Sequence, residues 1–194
     1  MQRLTMKLIH MENLLRTTQR MRRTMISQNY GTENNALEYI VGAQAVKGSS
    51  TIEWGGRVAL WGVIPLWRAA PPPDTILALR KPTPSDCWPF SGSTGEVIIE
   101  VPQYAQVHSI SVEHIRPDTA QSAPKDFIVY GILENGTWTK ATDGTYRYNK
   151  PAKQYYSLDN SAPLKRIVFR VLSNHGNQQY TCVYRVHLYS DSNT

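Results

Sequence analysis

This sequence has no uninterrupted apolar run near the ~20 residues that a membrane-spanning helix requires. It also has no charged-then-apolar leader of the secretory kind. If the protein works at a membrane, its anchor is expected outside this chain. Catalytic signatures are missing too: there is no Gly-rich phosphate loop, no HExxH, no CxxC and no GxSxG. The five histidines are scattered, and none pairs with cysteine at zinc-ligand spacing. Only Cys87 and Cys182 supply sulfur for covalent chemistry. In a reducing compartment they are two buried thiols, and in an oxidising one a disulfide. An enzyme is therefore not expected.

Acidic residues are nearly absent from one end. Residues 1–27 hold Arg3, Lys7, Arg16, Arg20, Arg22 and Arg23 against Glu12 alone, so they carry most of the net charge of +6. The remainder is close to neutral, which excludes a broad basic face for nucleic acid. Proline and glycine are absent before Gly31. Met1, Leu4, Leu8, Met11, Leu15, Thr18, Arg22 and Met25 follow alternating spacings of three and four, the seam of a coiled coil. All five methionines lie here, which makes the packing soft. An oligomerising coil, a helix packed on its own domain and a basic membrane-surface helix all fit this pattern. We assign residues 1–35 to a helical coiled-coil stalk and residues 36–194 to a separate body.

The body is rich in short β-branched and aromatic stretches bounded by turn residues. Strands are expected at 76–79, 96–101, 107–115, 125–133, 155–158, 166–172 and 180–189. Val97, Ile99 and Val101 alternate, as do Ile167, Phe169 and Val171, the mark of half-buried antiparallel strands. The fold class is mainly β: a compact antiparallel β-sandwich behind an α-helical segment. In 180–189, period two places Tyr180, Cys182, Tyr184, Val186 and Leu188 on one face. Between 47 and 67 the chain reads KGSSTIEWGGRVALWGVIPLW. Residues 51–54 and 57–61 flank Gly55-Gly56, a two-residue hairpin signal. Such a hairpin can be ordinary core or a flap over a ligand. Asn135-Gly136-Thr137 is an N-glycosylation sequon, with Asn135 the acceptor in a lumenal or extracellular setting.

Several stretches in one order carry a resemblance: CWPF at 87–90, SAPKDFIVYG at 122–131 and NHGNQQYTCVY at 174–184, with LWGVIPLW at 60–67. Together, over about 36–189, they resemble the SUN-domain family of nuclear-envelope proteins. The resemblance implies a β-sandwich that forms a homotrimer on a helical stalk. It places the protein on the perinuclear-space side of the inner nuclear membrane. There it binds the C-terminal KASH peptide of outer-membrane proteins, in the bridge that links nucleus to cytoskeleton.

Carried over by motif, the peptide's terminal carboxylate enters a pocket built by His114, Ser122 and Tyr184. A β-hairpin lid, about 47–67, clamps the peptide with Ile52, Trp54, Val58, Leu60 and Trp61. The resemblance also implies a Cys87–Cys182 disulfide. It further implies a loop before the CW motif, from Leu79 to Asp86, that holds a monovalent cation such as potassium through backbone carbonyls. Arg80 and Lys81 in that loop are positive neighbours for such a cation. Residues 48–53 contain no cysteine, so a KASH complex is expected to be non-covalent. The competing reading is a carbohydrate-binding β-sandwich with Trp54 and Trp61 as stacking platforms. A hydrolase using His114 with Ser122 lacks an orienting acid and an oxyanion motif.

Overall fold

The computed structural model describes residues 37–55, 58–60, 64–66, 70–115, 121–159 and 163–191. The expected stalk and Trp61 lie outside the described residues. The chain divides into two compact units, Met1–Glu38 and Tyr39–Thr194. The second unit is the β-structure described below.

Strands β1 (Leu37–Tyr39), β2 (Gln44–Lys47), β3 (Val58–Leu60) and β4 (Ile64–Leu66) precede two 3-10 turns, Pro73–Leu77 and Pro84–Asp86. Then follow β5 (Trp88–Ser91), β6 (Gly95–Ala105), β7 (Ser109–Glu113), β8 (Asp126–Ile132) and β9 (Trp138–Thr145). The last four are β10 (Lys153–Ser157), β11 (Leu164–Val171), β12 (Tyr180–Val183) and β13 (Arg185–Asp191). One sheet runs β1-β13-β7-β10 and the other β2-β6-β11-β8-β9, while β12-β5 and β3-β4 form two-stranded ribbons.

The alternation read from sequence builds the core. Val97 and Ile99 of β6, Phe127 and Val129 of β8, and Ile167 and Phe169 of β11 turn inward from the five-stranded sheet. Ile110 and Val112 of β7, with Val186 and Leu188 of β13, meet them from the four-stranded one. Register locks the layers: Phe169 lies opposite Val97 on one side and Val129 on the other. Phe127 then packs edge-on against Tyr156 of the facing sheet, with ring centroids 4.8 Å apart. Each such side chain contributes about 1.5–3 kcal/mol by leaving water. Gly131 is glycine for a packing reason. A Cβ there would stand 2.6 Å from a terminal methyl of the fully buried Leu164.

Three expectations are corrected. Residues 76–79 are not a strand, because the proline run ahead of them starts the 3-10 turn Pro73–Leu77. That turn drives Ile76 into the core and is tied to β2 by the Ala45 N–H on the Asp74 carboxylate, 2.5 Å. Residues 180–189 are not one strand. The chain breaks at Tyr184, with β12 paired to β5 and β13 paired to β7. Finally, the expected pairing of 51–54 with 57–61 across Gly55-Gly56 is not seen in the described residues of the two stretches, 51–54 and 58–60. The Trp54 N–H donates to Pro89 O at 3.1 Å and the Ser91 N–H to Ile52 O at 2.7 Å, so 52–54 extends the ribbon along β5. The hairpin joins β3 to β4 instead, with Val58 opposite Leu66 and Leu60 opposite Ile64. β9 was not expected at all. It is a polar edge strand whose buried side chain is Ala141.

Candidate functional site

The strand break at Tyr184 is what gives this residue its position. β12 belongs to the ribbon and β13 to the four-stranded sheet, so Tyr184 sits where the chain changes partner. Arg185 lies opposite Glu113 at the end of β7, which brings the next residue, His114, alongside Tyr184. The two rings meet edge-on, with centroids 4.7 Å apart and planes at 82°. Both residues are buried. The His114 N–H donates to Ala152 O at 3.1 Å, which fixes its backbone to the loop before β10.

Sequence reasoning missed Tyr146. Its ring lies 6.5 Å from that of His114, and its hydroxyl donates to the same Ala152 carbonyl at 2.9 Å. Burial pushes its pKa up to about 12, so it stays an O–H donor at neutral pH. Burial also raises the pKa of Tyr184, with the nearby Tyr180 and Asp86 acting in the same direction. It too remains protonated.

Ser122 is buried and joins this end of the molecule through its neighbours. The Asn177 N–H donates to Gln121 O at 3.0 Å, and the His175 N–H to Ala123 O at 3.2 Å. Pro124 bridges to Asn174. His175 Nε2 in turn contacts Tyr146 O at 2.9 Å. The strip carrying Ser122 is thereby zipped to the NHGN loop, and that loop to Tyr146 beside His114. Asn174 holds the loop in shape, since its amide donates to Asn177 O, Tyr180 O and the Thr181 hydroxyl.

Cys87 and Cys182 form a disulfide with Cα atoms 5.5 Å apart. It fastens the start of β5 to β12, two residues before Tyr184. Of the expected lid residues, Ile52 and Trp54 lie on the strip along β5. Ile52 is 72% exposed and Trp54 39%. The Trp54 ring stacks on Tyr180 of β12 at 5.7 Å and 23°. Val58 and Leu60 belong to β3. Asn135 sits on the exposed β8–β9 turn, where its side-chain carbonyl accepts the Thr137 N–H at 2.9 Å.

The expected cation loop is organised around charge of its own. Asp86 is buried and accepts from Arg80 Nη1 at 2.6 Å, the Thr83 N–H at 2.9 Å and Arg185 Nη2 at 2.7 Å. Burial alone would raise its carboxyl pKa, but these hydrogen bonds outweigh it and hold the group well below the usual carboxylate range. The residues present therefore do not fit a bound cation. Two guanidinium groups already face the loop's one carboxylate, and Arg185 Nε donates to the Arg80 carbonyl within the loop at 3.1 Å.

The Sad1 / UNC-like C-terminal family model matches residues 66–192 of this chain. SUN domain-containing protein 5 of Mus musculus is 34% identical over 152 residues, covering 73% of this chain and 39% of the relative. Sperm-associated antigen 4 protein of Rattus norvegicus is 32% identical over 149 residues, covering 72% and 33%. The chain spans about a third of the length of the curated relatives it matches. Among solved structures, an F5/8 type C domain from Bacteroides fragilis superposes with a TM-score of 0.59 at 13% identity, over 82% of this chain and 99% of that one. A family 32 carbohydrate-binding module from Clostridium perfringens, in complex with galactose, gives 0.54 at 13% identity, over 76% and 93%. Identity that low speaks to the sandwich fold alone. The family match spans the disulfide, the His114–Tyr184 pair and the Ser122 strip, and the chain belongs to the Sad1/UNC-like C-terminal family, the SUN domains.

Proposed function

We propose that this domain binds the C-terminal KASH peptide of an outer-nuclear-membrane protein and holds its terminal carboxylate with His114, Ser122 and Tyr184. The single observation that carries the reading is the edge-on contact of His114 with Tyr184, in a chain of this family. A carboxylate needs several donors at once. A Tyr phenol, a Ser hydroxyl and an imidazole N–H supply them without a large fixed charge, and burial keeps Tyr184 in its donating form. The exposed Ile52 and Trp54 offer an apolar edge to the peptide upstream of its terminus. With no cysteine in 48–53, the complex is non-covalent.

In this reading the protein is a linker and no enzyme. It works as a homotrimer at the perinuclear-space side of the inner nuclear membrane. Residues 1–27 drive the assembly, because the seam formed by Leu4, Leu8, Met11 and Leu15 must be covered. Size-exclusion chromatography with light scattering, with and without a KASH C-terminal peptide, tests both parts. A peptide-binding trimer that falls apart when 1–27 is deleted is the expected result. Unchanged assembly after the deletion contradicts the stalk. The competing carbohydrate reading draws on the half-exposed Trp54 stacked on Tyr180. A glycan array that binds nothing, beside a KASH peptide that binds, removes it.

A further inference from the structure

We infer that the Arg185 guanidinium holds the loop from Leu79 to Asp86, where a monovalent cation is expected, together with the 3-10 turn ahead of it. Arg185 has a fully buried side chain, an uncommon place for a charge unless it is fully paired. Its Nε donates to Arg80 O at 3.1 Å, and its Nη1 to Thr75 O at 3.1 Å and Tyr184 O at 2.8 Å. Its Nη2 donates to Asp86 Oδ2 at 2.7 Å. Three backbone carbonyls and one carboxylate oxygen thus converge on a single positive group. That is the oxygen set an alkali cation would want, here filled by a planar fork of N–H donors.

The rest of the loop agrees. Asp86 also takes both Arg80 nitrogens, so two positive groups already share one carboxylate. An added cation would place a further positive charge beside the fully buried Arg185 and the exposed Arg80, which the low local dielectric around Arg185 makes unfavourable. A neighbouring carbonyl, Ala78 O, is occupied too, by His187 Nε2 at 3.1 Å. Side chains of β13 therefore reach three carbonyls of this stretch, at Thr75 and Ala78 ahead of the loop and at Arg80 within it. Because Arg185 directly follows Tyr184, its bonds to Thr75 O and Arg80 O tie this stretch to the chain segment that carries the phenol.

Thermal melting of the whole chain without peptide tests this, so its outcome is separate from that of the peptide reading. Melts in potassium chloride and in tetramethylammonium chloride at matched ionic strength should share a midpoint to within about 1 °C, since no site waits for potassium. A potassium-specific rise of about 5 °C or more overturns the inference. Arg185→Ala should melt roughly 6–20 °C lower, because it strips the buried partner from Asp86 and three carbonyls. Millimolar methylguanidinium should recover part of that loss in the variant and leave the unsubstituted protein unmoved. A variant that melts with the unsubstituted protein, or that methylguanidinium does not raise, contradicts the assignment. If Arg185→Ala does not fold, the comparison of the two salts decides alone.

Discussion

Tyr184 stands edge-on to His114, ring centroids 4.7 Å apart and planes at 82°, although 70 residues of chain separate them. The contact exists because β13 pairs with β7 and both residues fall at the ends of those strands. Ring packing and hydrogen bonding by the phenol are separable here. Tyr184→Phe keeps the ring on His114 and removes one donor. Losing a hydrogen bond to a charged carboxylate should weaken KASH peptide binding about 10- to 150-fold, or roughly 1.5–3 kcal/mol. Calorimetric titration checks the affinity, and an unchanged melting curve shows that folding is intact.

The Cys87–Cys182 bond closes a separation of 95 residues. Removing it should cost roughly 4–5 kcal/mol in the chain-entropy model, with engineered examples often giving less. Mass spectrometry of protein made under oxidising conditions should find the linked peptides without reduction. Denaturant melts with and without reductant give the size of the effect.

His187 gives the fold a pH dependence with a definite sign. Burial is the main cause, with repulsion from Lys153 adding to it, and the pKa falls from 6.5 to about 4. The unfolded chain takes up this proton first as pH drops. Stability is therefore full above pH 6.5 and declines as pH falls towards about 4. The loss approaches about 3 kcal/mol across that window. Asp86 acts lower, because its pKa is depressed from 3.8 and its contribution fades only in stronger acid. His187→Gln can still donate to the Ala78 carbonyl and should flatten the decline between pH 6.5 and 4, read by urea midpoints at each pH.

Gly131→Ala tests the packing of the sandwich. The added methyl would meet the terminal methyls of the fully buried Leu164, which would have to shift within the core. Overpacking of this kind should destabilise by about 1–3 kcal/mol without changing the strand order. Chemical denaturation measures it.

The parts of the fold that announced themselves in the sequence are those whose physics is local. Val97, Ile99 and Val101, and Ile167, Phe169 and Val171, alternate because each strand has one face in the core. Residues 76–79 misled because Ile76 is apolar for a plug as much as for a strand, and the prolines ahead of it decide the outcome. Period two runs unbroken through 180–189, so nothing local marks the change of sheet at Tyr184. The Gly55-Gly56 signal failed because 52–54 finds its partner in β5, far along the chain.

The site divides in the same way. His114 and Tyr184 were reachable through motif resemblance, and their contact follows from strand register. Arg185 read as one charged residue in a strand. Its meaning lies in Asp86, 99 residues away, and in carbonyls that no pattern of side chains encodes. Tyr146 was invisible for a similar reason, since its partner is the carbonyl of Ala152 in a loop.

The most direct test of the account is one titration, run with a KASH C-terminal peptide carrying a free carboxylate and with the same peptide amidated. The amide removes the charge that His114, Ser122 and Tyr184 are proposed to hold. Binding should weaken about 10- to 150-fold on amidation. In Tyr184→Phe the same amidation should cost less, because both changes act on one interaction. Equal binding of the free and amidated peptides would contradict the carboxylate pocket.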